Sequence, residues 1–391
     1  MSSRKPRFIE APTSFTVAAN SSSASLNNRT ERLKDHNMAN TIGRIQNRIV
    51  YADDHFFIDN EEVKDINREL ERKNLGELTV RPTSAFLRNF HGLEDDIEGL
   101  NIINSPEIQH FASDKAYHRK QFWNDPGVSI PYQPTDEFFD QNGEPLLDEL
   151  AEEFEGLEHL GVVEQPRTDS QGDGINFYDT FEDAIEEYRR NSLPEESMIS
   201  LQLPLEYDQR VIAAEDEPVT SMKRFPNGSG VCSLSKAEGD TYKEKAVNAR
   251  EKGYVASVDV EELDPAVENI LEDHVEALKR ETGEDNFWIG WDFFAVDPYE
   301  MDDFPEGIRD MLLDERYQTE EGNYLVLGEP NASPGSGVDI VNQQYEEQDS
   351  AANIVRYADS VSRGQSYERG LDSVGQLSGE ELYDMVKDHQ V

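Results

Sequence analysis

Glu329 and Asn331 stand two residues apart where the run "YLVLGEPNASPGSGVDI" (324–340) passes from an apolar stretch into Pro, Gly and Ser. In a strand, residues i and i+2 point to one face, so this end can offer a carboxylate and an amide oxygen side by side. Asp292, inside the apolar run "FWIGWDFFAV" (287–296), offers another carboxylate. Oxygen-only donors favour a hard cation, and a few carboxylates with water and phosphate are the usual way of holding Mg²⁺. The chain carries 82 acidic residues, and most of these must be solvated surface. What distinguishes Asp292 and Glu329 is their setting in apolar strands, where a charge is costly unless compensated.

The elements that would position these groups are strands and helices in alternation. Strand patterns occur at 47–60, 100–105, 197–205, 287–296 and 323–330, and helical spacing runs through 106–125. Two hairpins are expected: 160–178 around a Gly-rich turn, and 207–225 turning at Asp216–Glu217–Pro218. "EEVKDINRELERKN" (61–74) reads as a polar helix, and helices follow at 180–192 and 352–361. The segment 264–283 reads as an amphipathic helix with Asp264 as N-cap, Pro265 at its first position and Gly283 as its stop. Strands in hairpins with helices between them predict an α+β protein of more than one lobe.

Composition narrows the function classes. The 391 residues carry 36 Lys and Arg, a net charge of −46, and 36% hydrophobic residues. Such a chain repels nucleic acid and anionic lipid unless its few cations are concentrated locally, so neither is expected as a partner. No apolar run approaches the ~18 residues of a membrane helix, and the start of the chain lacks the apolar core of a secretory signal. One cysteine, Cys232, rules out an intramolecular disulfide and argues against a thiolate zinc site. Self-repulsion on this scale is relieved by salt, the Debye length shrinking to ~3 Å at 1 M. The charge therefore points to a salt-rich cytoplasm, that of a halophile or of a virus of one.

The residues also match a family. "LGEPNASPGSGVDI" (327–340) resembles the closing motif of ATP-grasp carboxylate–amine ligases, a strand-end Glu-x-Asn before a small-Pro-Gly turn, and most of all the RimK-type ribosomal-protein glutamate ligases. The resemblance extends backwards in order. "FASDKAYHRKQFWNDPGVSIPYQPT" (111–135) looks like the family's Asp-Lys helix and following turn, and "VVEQPRTDSQGDGI" (162–175) stands where it has a Lys-Pro strand and Gly loop. "MISLQLPLEYDQRVIAAEDEPVTSMKR" (198–224) looks like the hinge, the Asp-x-Arg segment and the Lys-Arg strand, and "IGWDFFAVD" (289–297) like the Gly-x-Asp strand. Together these cover about two thirds of the chain.

The resemblance implies an ATP-grasp fold, two α+β lobes clasping ATP, with a short diverged N-terminal α/β lobe. The implied divisions are an arm at 1–45, the N-terminal lobe at 46–105, lobes at 106–200 and 201–358, and an acidic tail at 359–391. It implies ATP and Mg²⁺ as cofactors, with Asp292, Glu329 and Asn331 as metal ligands. Small-molecule or peptide carboxylates and amines would be the substrates. Lys115 would lie near the α-phosphate, Arg210 near the γ-phosphate and acyl phosphate, and Gly172 and Gly174 in the phosphate loop. Gln202 and Leu203 would form the adenine hinge, and Asp208 or Glu206 would hold the ribose. Of Lys223 and Arg224, neighbours on a strand and so on opposite faces, Arg224 is expected to face the site. The departures are Gln165 in place of a lysine, for which Arg167 two residues on could substitute, Asp173 in the Gly loop, and "GVCSLSKAEG" (230–239), with Ser233 and Lys236, in place of a Ser-Asn segment. The Asp292-to-Glu329 connection is also long. The expected reaction is ligation through an acyl phosphate with release of ADP and phosphate. The alternative is a nucleotide-binding or structural descendant without catalysis.

Overall fold

The computed structural model describes residues 7–10, 49–52, 55–58, 61–65, 68, 78–81, 100–122, 132–168, 174–226, 242–332, 334, 348, 353, 357, 360, 361 and 367. Near the N-terminus are β1 (Arg7–Glu10), β2 (Ile49–Ala52), β3 (His55–Ile58), β4 (Glu61–Val63), β5 (Leu78–Arg81) and β6 (Leu100–Ile102). β1, β5 and β6 form a parallel sheet in that order, and β2–β3–β4 an antiparallel one. Two expectations change here. Arg7–Glu10, read as part of an arm, is a strand paired with Leu78–Arg81. Glu61–Val63, read as the start of a helix, pairs with Phe56–Ile58, because strand pairing overrides weak local helix propensity.

The helical spacing expected over 106–125 is realised as two helices, α1 (Pro106–Ser113) and α2 (Lys115–Gln121). The break is Asp114, which is extended and whose carboxylate caps the Ala116 and Tyr117 amides at 3.0 and 3.1 Å. Then come β7 (Tyr132–Pro134), α3 (Leu147–Glu153), β8 (Val162–Pro166), β9 (Asn176–Tyr178), α4 (Phe181–Asn191) and β10 (Ser197–Leu201). The strands form a four-stranded antiparallel sheet ordered β7-β10-β8-β9, against which α4 packs Phe181, Ala184, Ile185 and Tyr188.

The last unit comprises β11 (Leu205–Ala214), β12 (Glu217–Arg224), α5 (Tyr242–Glu251), β13 (Val255–Val258), α6 (Pro265–Thr282), β14 (Trp288–Val296), α7 (Glu306–Leu312) and β15 (Tyr324–Asn331). Its five strands are antiparallel in the order β13-β12-β11-β14-β15. The β11–β12 hairpin turns at Glu215 and Asp216, with Glu215 at φ 55°, slightly before the expected turn. α6 begins at Asp264, whose side chain accepts from the Ala266 amide, and stops at a left-handed Gly283, as its sequence predicts.

Alternation divides the two faces of this sheet. Val211, Ala213, Ile289, Trp291, Phe293, Leu325 and Leu327 pack with Val267, Ile270, Leu271, Val275 and Leu278 of α6 in one core. On the other face, Val296 and Val326 join Val162, Ile199 and Leu201 of the four-stranded sheet in a second core. The connection between β14 and β15 adds Met301, Phe304 and Leu312 to that second core, so the long insertion is a packed element. The same face turns charged towards the other end of the strands. That is where the candidate residues lie.

Candidate functional site

Three neighbouring strands build a buried charge network. Arg224 on β12 is the ladder partner of Asp208 on β11, and Arg210 on β11 that of Asp292 on β14. Paired residues share a face and bring long side chains into contact. Arg224 Nε and Nη2 donate to Asp208 at 2.7 and 2.5 Å, and Arg210 Nε and Nη2 to Asp292 at 2.7 and 2.5 Å. Arg224 Nη2 also lies 3.1 Å from Asp292 Oδ1, joining the two pairs. Bidentate guanidinium–carboxylate pairs fix geometry as well as charge. Burial opposes ionisation of Asp292, but Arg210 and Arg224 outweigh it and hold its carboxyl below the usual range. Asp208 has one close guanidinium and a carboxylate neighbour, so burial and then Asp292 leave it raised despite Arg224.

Glu329 on β15 pairs with Asp292, continuing the charged row to the sheet edge. Strict alternation from Leu325 and Leu327 would instead send Glu329 to the apolar face packed on α6. A register shift between Asp292 and Phe293 skips Gly328 and moves Glu329 and Asn331 to the other face. Gly328 is needed there because a Cβ would lie 2.5 Å from Phe294 Cζ. The turn after Asn331 closes on Gly290, where a Cβ would come within 2.7 Å of Pro334 Cβ.

Helix α2 supplies cations to this edge. Lys115 Nζ is 3.6 Å from Glu329 Oε2 and 3.5 Å from the Pro166 carbonyl oxygen of β8, so it touches both sheets. One turn later Arg119, 2% exposed, donates from Nη2 to the Gly328 carbonyl at 3.2 Å. Its neighbour His118 is also buried; burial, then the charges of Arg119 and Lys115, hold its pKa well below the ordinary value. Sequence reading missed Arg119. The available signal was its i, i+4 spacing from Lys115, in a helix that otherwise reads as solvated. Asn104 was also missed. Its side chain bonds the Trp288 carbonyl and amide and the Ala332 carbonyl, at 2.8, 2.7 and 2.6 Å, tying together the ends of β14 and β15.

The other candidates fall into three groups. Gln165 lies on β8 opposite Met198, half-buried, and Gly174 sits at φ 74° against the Pro166 ring. Arg167, expected to supply the charge Gln165 lacks, is committed elsewhere: it holds Asp114 at 3.1 and 2.6 Å and Asp136 at 2.7 Å. Its guanidinium is thus neutralised while anchoring the start of α2. At the hinge, Leu203 is buried in the second core, while Gln202 is exposed and its backbone N–H donates to the Gly161 carbonyl at 2.8 Å. Asp208, one of two expected ribose contacts, is buried against Arg224, whereas Glu206 is exposed. Lys223 faces away from the network, over the Tyr207 ring at 4.1 Å and beside Glu321. Gly172, Asp173, Cys232, Ser233 and Lys236 lie outside the described residues.

Among the described residues that meet here, four cations (Lys115, Arg119, Arg210 and Arg224) face three carboxylates (Asp208, Asp292 and Glu329), in a molecule of net charge −46. Such a cluster can receive a polyanion. Asp292, Glu329 and Asn331 are hard oxygen donors on adjacent strands and fit Mg²⁺ chemically. Among the described residues no group of three or more His, Cys, Asp or Glu forms a ready metal cage, and both carboxylates are already paired with cations. The donor set therefore suits a metal that arrives with phosphates able to draw those cations away.

No protein-family model matches the sequence, and no curated protein matches it. Solved structures do. D-alanyl-alanine synthetase A from Vibrio cholerae superposes with a TM-score of 0.52 at 13% identity, over 92% of this chain and 99% of that one. D-alanine–D-alanine ligase from Bacillus anthracis, in complex with ATP, gives 0.45 at 9% identity over 98% and 96%. The ATP-grasp ligase PsnB, with precursor peptide and AMPPNP, gives 0.44 at 10% identity over 81% and 85%. The likeness to the synthetase from Vibrio cholerae gives the chain the α+β ATP-grasp fold.

Proposed function

We propose that this protein is an ATP- and Mg²⁺-dependent ligase of the RimK type, joining a small-molecule or peptide carboxylate to an amine. One observation carries the reading: Arg224–Asp208, Arg210–Asp292 and Glu329–Lys115 stand in a row across four adjacent strands, on the face turned towards the four-stranded sheet. The shared fold supports it. In this reading the lobes are 106–200 and 201–358, preceded by a lobe at 46–105, to whose sheet Arg7–Glu10 of the 1–45 segment adds a strand, and followed by a tail at 359–391. ATP lies between the two main lobes, with the adenine at Gln202 and Leu203.

The reaction has two displacements. A carboxylate oxygen bonds to the γ-phosphorus as the bond to ADP breaks, giving an acyl phosphate. The amine nitrogen then bonds to the acyl carbon, phosphate leaves, and the nitrogen loses a proton to solvent. Phosphoryl transfer needs chiefly positioning and neutralisation of charge. Arg210 and Arg224 neutralise the transferred group. Lys115 releases Glu329 to bind the phosphate chain, while Gln165, Gly172 and Gly174 contact it through neutral groups and Arg167 fixes the start of α2. Asp292, Glu329 and Asn331 would hold Mg²⁺, which when bound offsets phosphate charge. Carbon–nitrogen ligation in a salt-rich cytoplasm, of a halophile or a virus of one, completes the reading.

A second reading, a nucleotide-binding protein without catalysis, is favoured by one observation: Arg167 is neutralised by Asp114 and Asp136, leaving Gln165 without a compensating charge. ADP release in concentrated KCl with ATP, Mg²⁺ and pools of amino acids and acidic peptides separates the two. Substrate-stimulated ADP release abolished in Glu329→Ala supports the ligase. ATP binding without turnover in any pool supports the second reading, and AMP in place of ADP contradicts the acyl-phosphate route.

A further inference from the structure

We infer that Arg119 is a positioning residue that fixes the Gly328 bulge and thereby aims Glu329 at the charged face; the inference rests on the metal-binding part of the proposed function. Leu325 and Leu327 belong to the apolar core, and Glu329 would follow them there but for the single skipped residue. Gly328 is that residue, and among the described strands β15 is the edge of its sheet, with one neighbouring ladder to hold the bulge. Arg119 adds a hold from outside the sheet through its bond to the Gly328 carbonyl.

The cost of placing a guanidinium there argues for a role beyond packing. Arg119 is almost wholly buried, and its Nε and Nη1 have no hydrogen-bond partner among the described residues. Burying charged donors unpaired is expensive, and an apolar side chain of similar length would fill the space at lower cost. Burial brings the Arg119 pKa down to about 10, against the pull of the Glu329 carboxylate, so the group remains a cation at neutral pH beside the carboxylate it aims. Lys115 contacts the Glu329 side chain, whereas Arg119 holds the backbone just before it. Withdrawal of Lys115 towards a phosphate would leave that backbone hold in place.

The test measures ATP affinity by calorimetry in concentrated KCl, with Mg²⁺ and with EDTA; the ratio of the two dissociation constants reports metal coupling. Arg119→Met is expected to lower that ratio about tenfold, as loss of a group supporting a metal ligand does; a loss of affinity from the missing charge that is common to both conditions cancels in the ratio. Arg119→Lys, which keeps the charge and one donor, is expected to lower it only about threefold. In the Glu329→Gln background neither substitution should lower it further. If Glu329→Gln collapses the ratio while Arg119→Met or Arg119→Lys leaves it at the wild-type value, the inference is overturned and the ligase reading stands. Should Arg119→Met not fold, Arg119→Lys alone decides. A wild-type protein whose ATP affinity ignores Mg²⁺ overturns both together.

Discussion

Asp208 and Asp292 are buried side by side with two arginines, yet their carboxyl groups are driven in opposite directions. Asp292 gains from being ionised in the fold, and that stabilisation is lost only at pH values below the usual carboxylate range. Asp208 is the reverse. Its raised pKa means the folded chain binds its proton more readily than the unfolded one, so its contribution to stability falls as pH rises towards neutrality. Asp208→Asn removes this slope. In urea titrations, the stability of the variant relative to wild type should be higher at pH 8 than at pH 5 by roughly 1–3 kcal/mol; an unchanged or reversed difference refutes the assignment of the raised pKa to Asp208. Much at this scale was legible. Arg224 and Lys223 face opposite sides as strand neighbours must, and Asp292, Glu329, Arg210 and Lys115 come together. Arg119 was not legible, because a helical arginine in sequence looks the same whether it meets water or a carbonyl.

Among the elements, apolar density decided what could be read. β14 and β15 stood out as continuous apolar runs, and α6 as a capped amphipathic helix. The break at Asp114 and the strand at Glu61–Val63 did not: a single capping aspartate interrupts an otherwise helical spacing in one case, and hairpin pairing with β3 overrides helix propensity in the other. The Gly328 bulge likewise depends on cross-strand register. It makes Gly328→Ala informative: the new Cβ meets three atoms of the Phe294 ring within 2.8 Å. The substitution should cost about 1–3 kcal/mol by denaturant titration, and most of that should be recovered in a Phe294→Ala background, where the obstructing ring is gone. Equal costs in both backgrounds would mean that the bulge itself, and not the ring, demands glycine.

For the whole molecule, the net charge of −46 and the small cationic cluster are complementary facts. A diffuse negative surface repels polyanions, whereas among the described residues Lys115, Arg119, Arg210 and Arg224 lie close together on one face of the five-stranded sheet. Self-repulsion should be relieved by salt, so far-ultraviolet circular dichroism should report loss of structure on dialysis from molar KCl into dilute buffer and recovery on its return. Retention of full ellipticity in dilute buffer would count against adaptation to salt. The α+β class was legible from strands in hairpins with helices between them, whereas the sharing of an apolar core between the sheets was not. That sharing has a mechanical meaning. Met301, Phe304 and Leu312 lie in one cluster with Phe154, Phe181 and Leu201, so the β14–β15 connection works as a spine joining two covers. Separating the covers would have to expose that apolar seam to water, whereas the polar link that Lys115 makes from one sheet to the other can be exchanged for hydration.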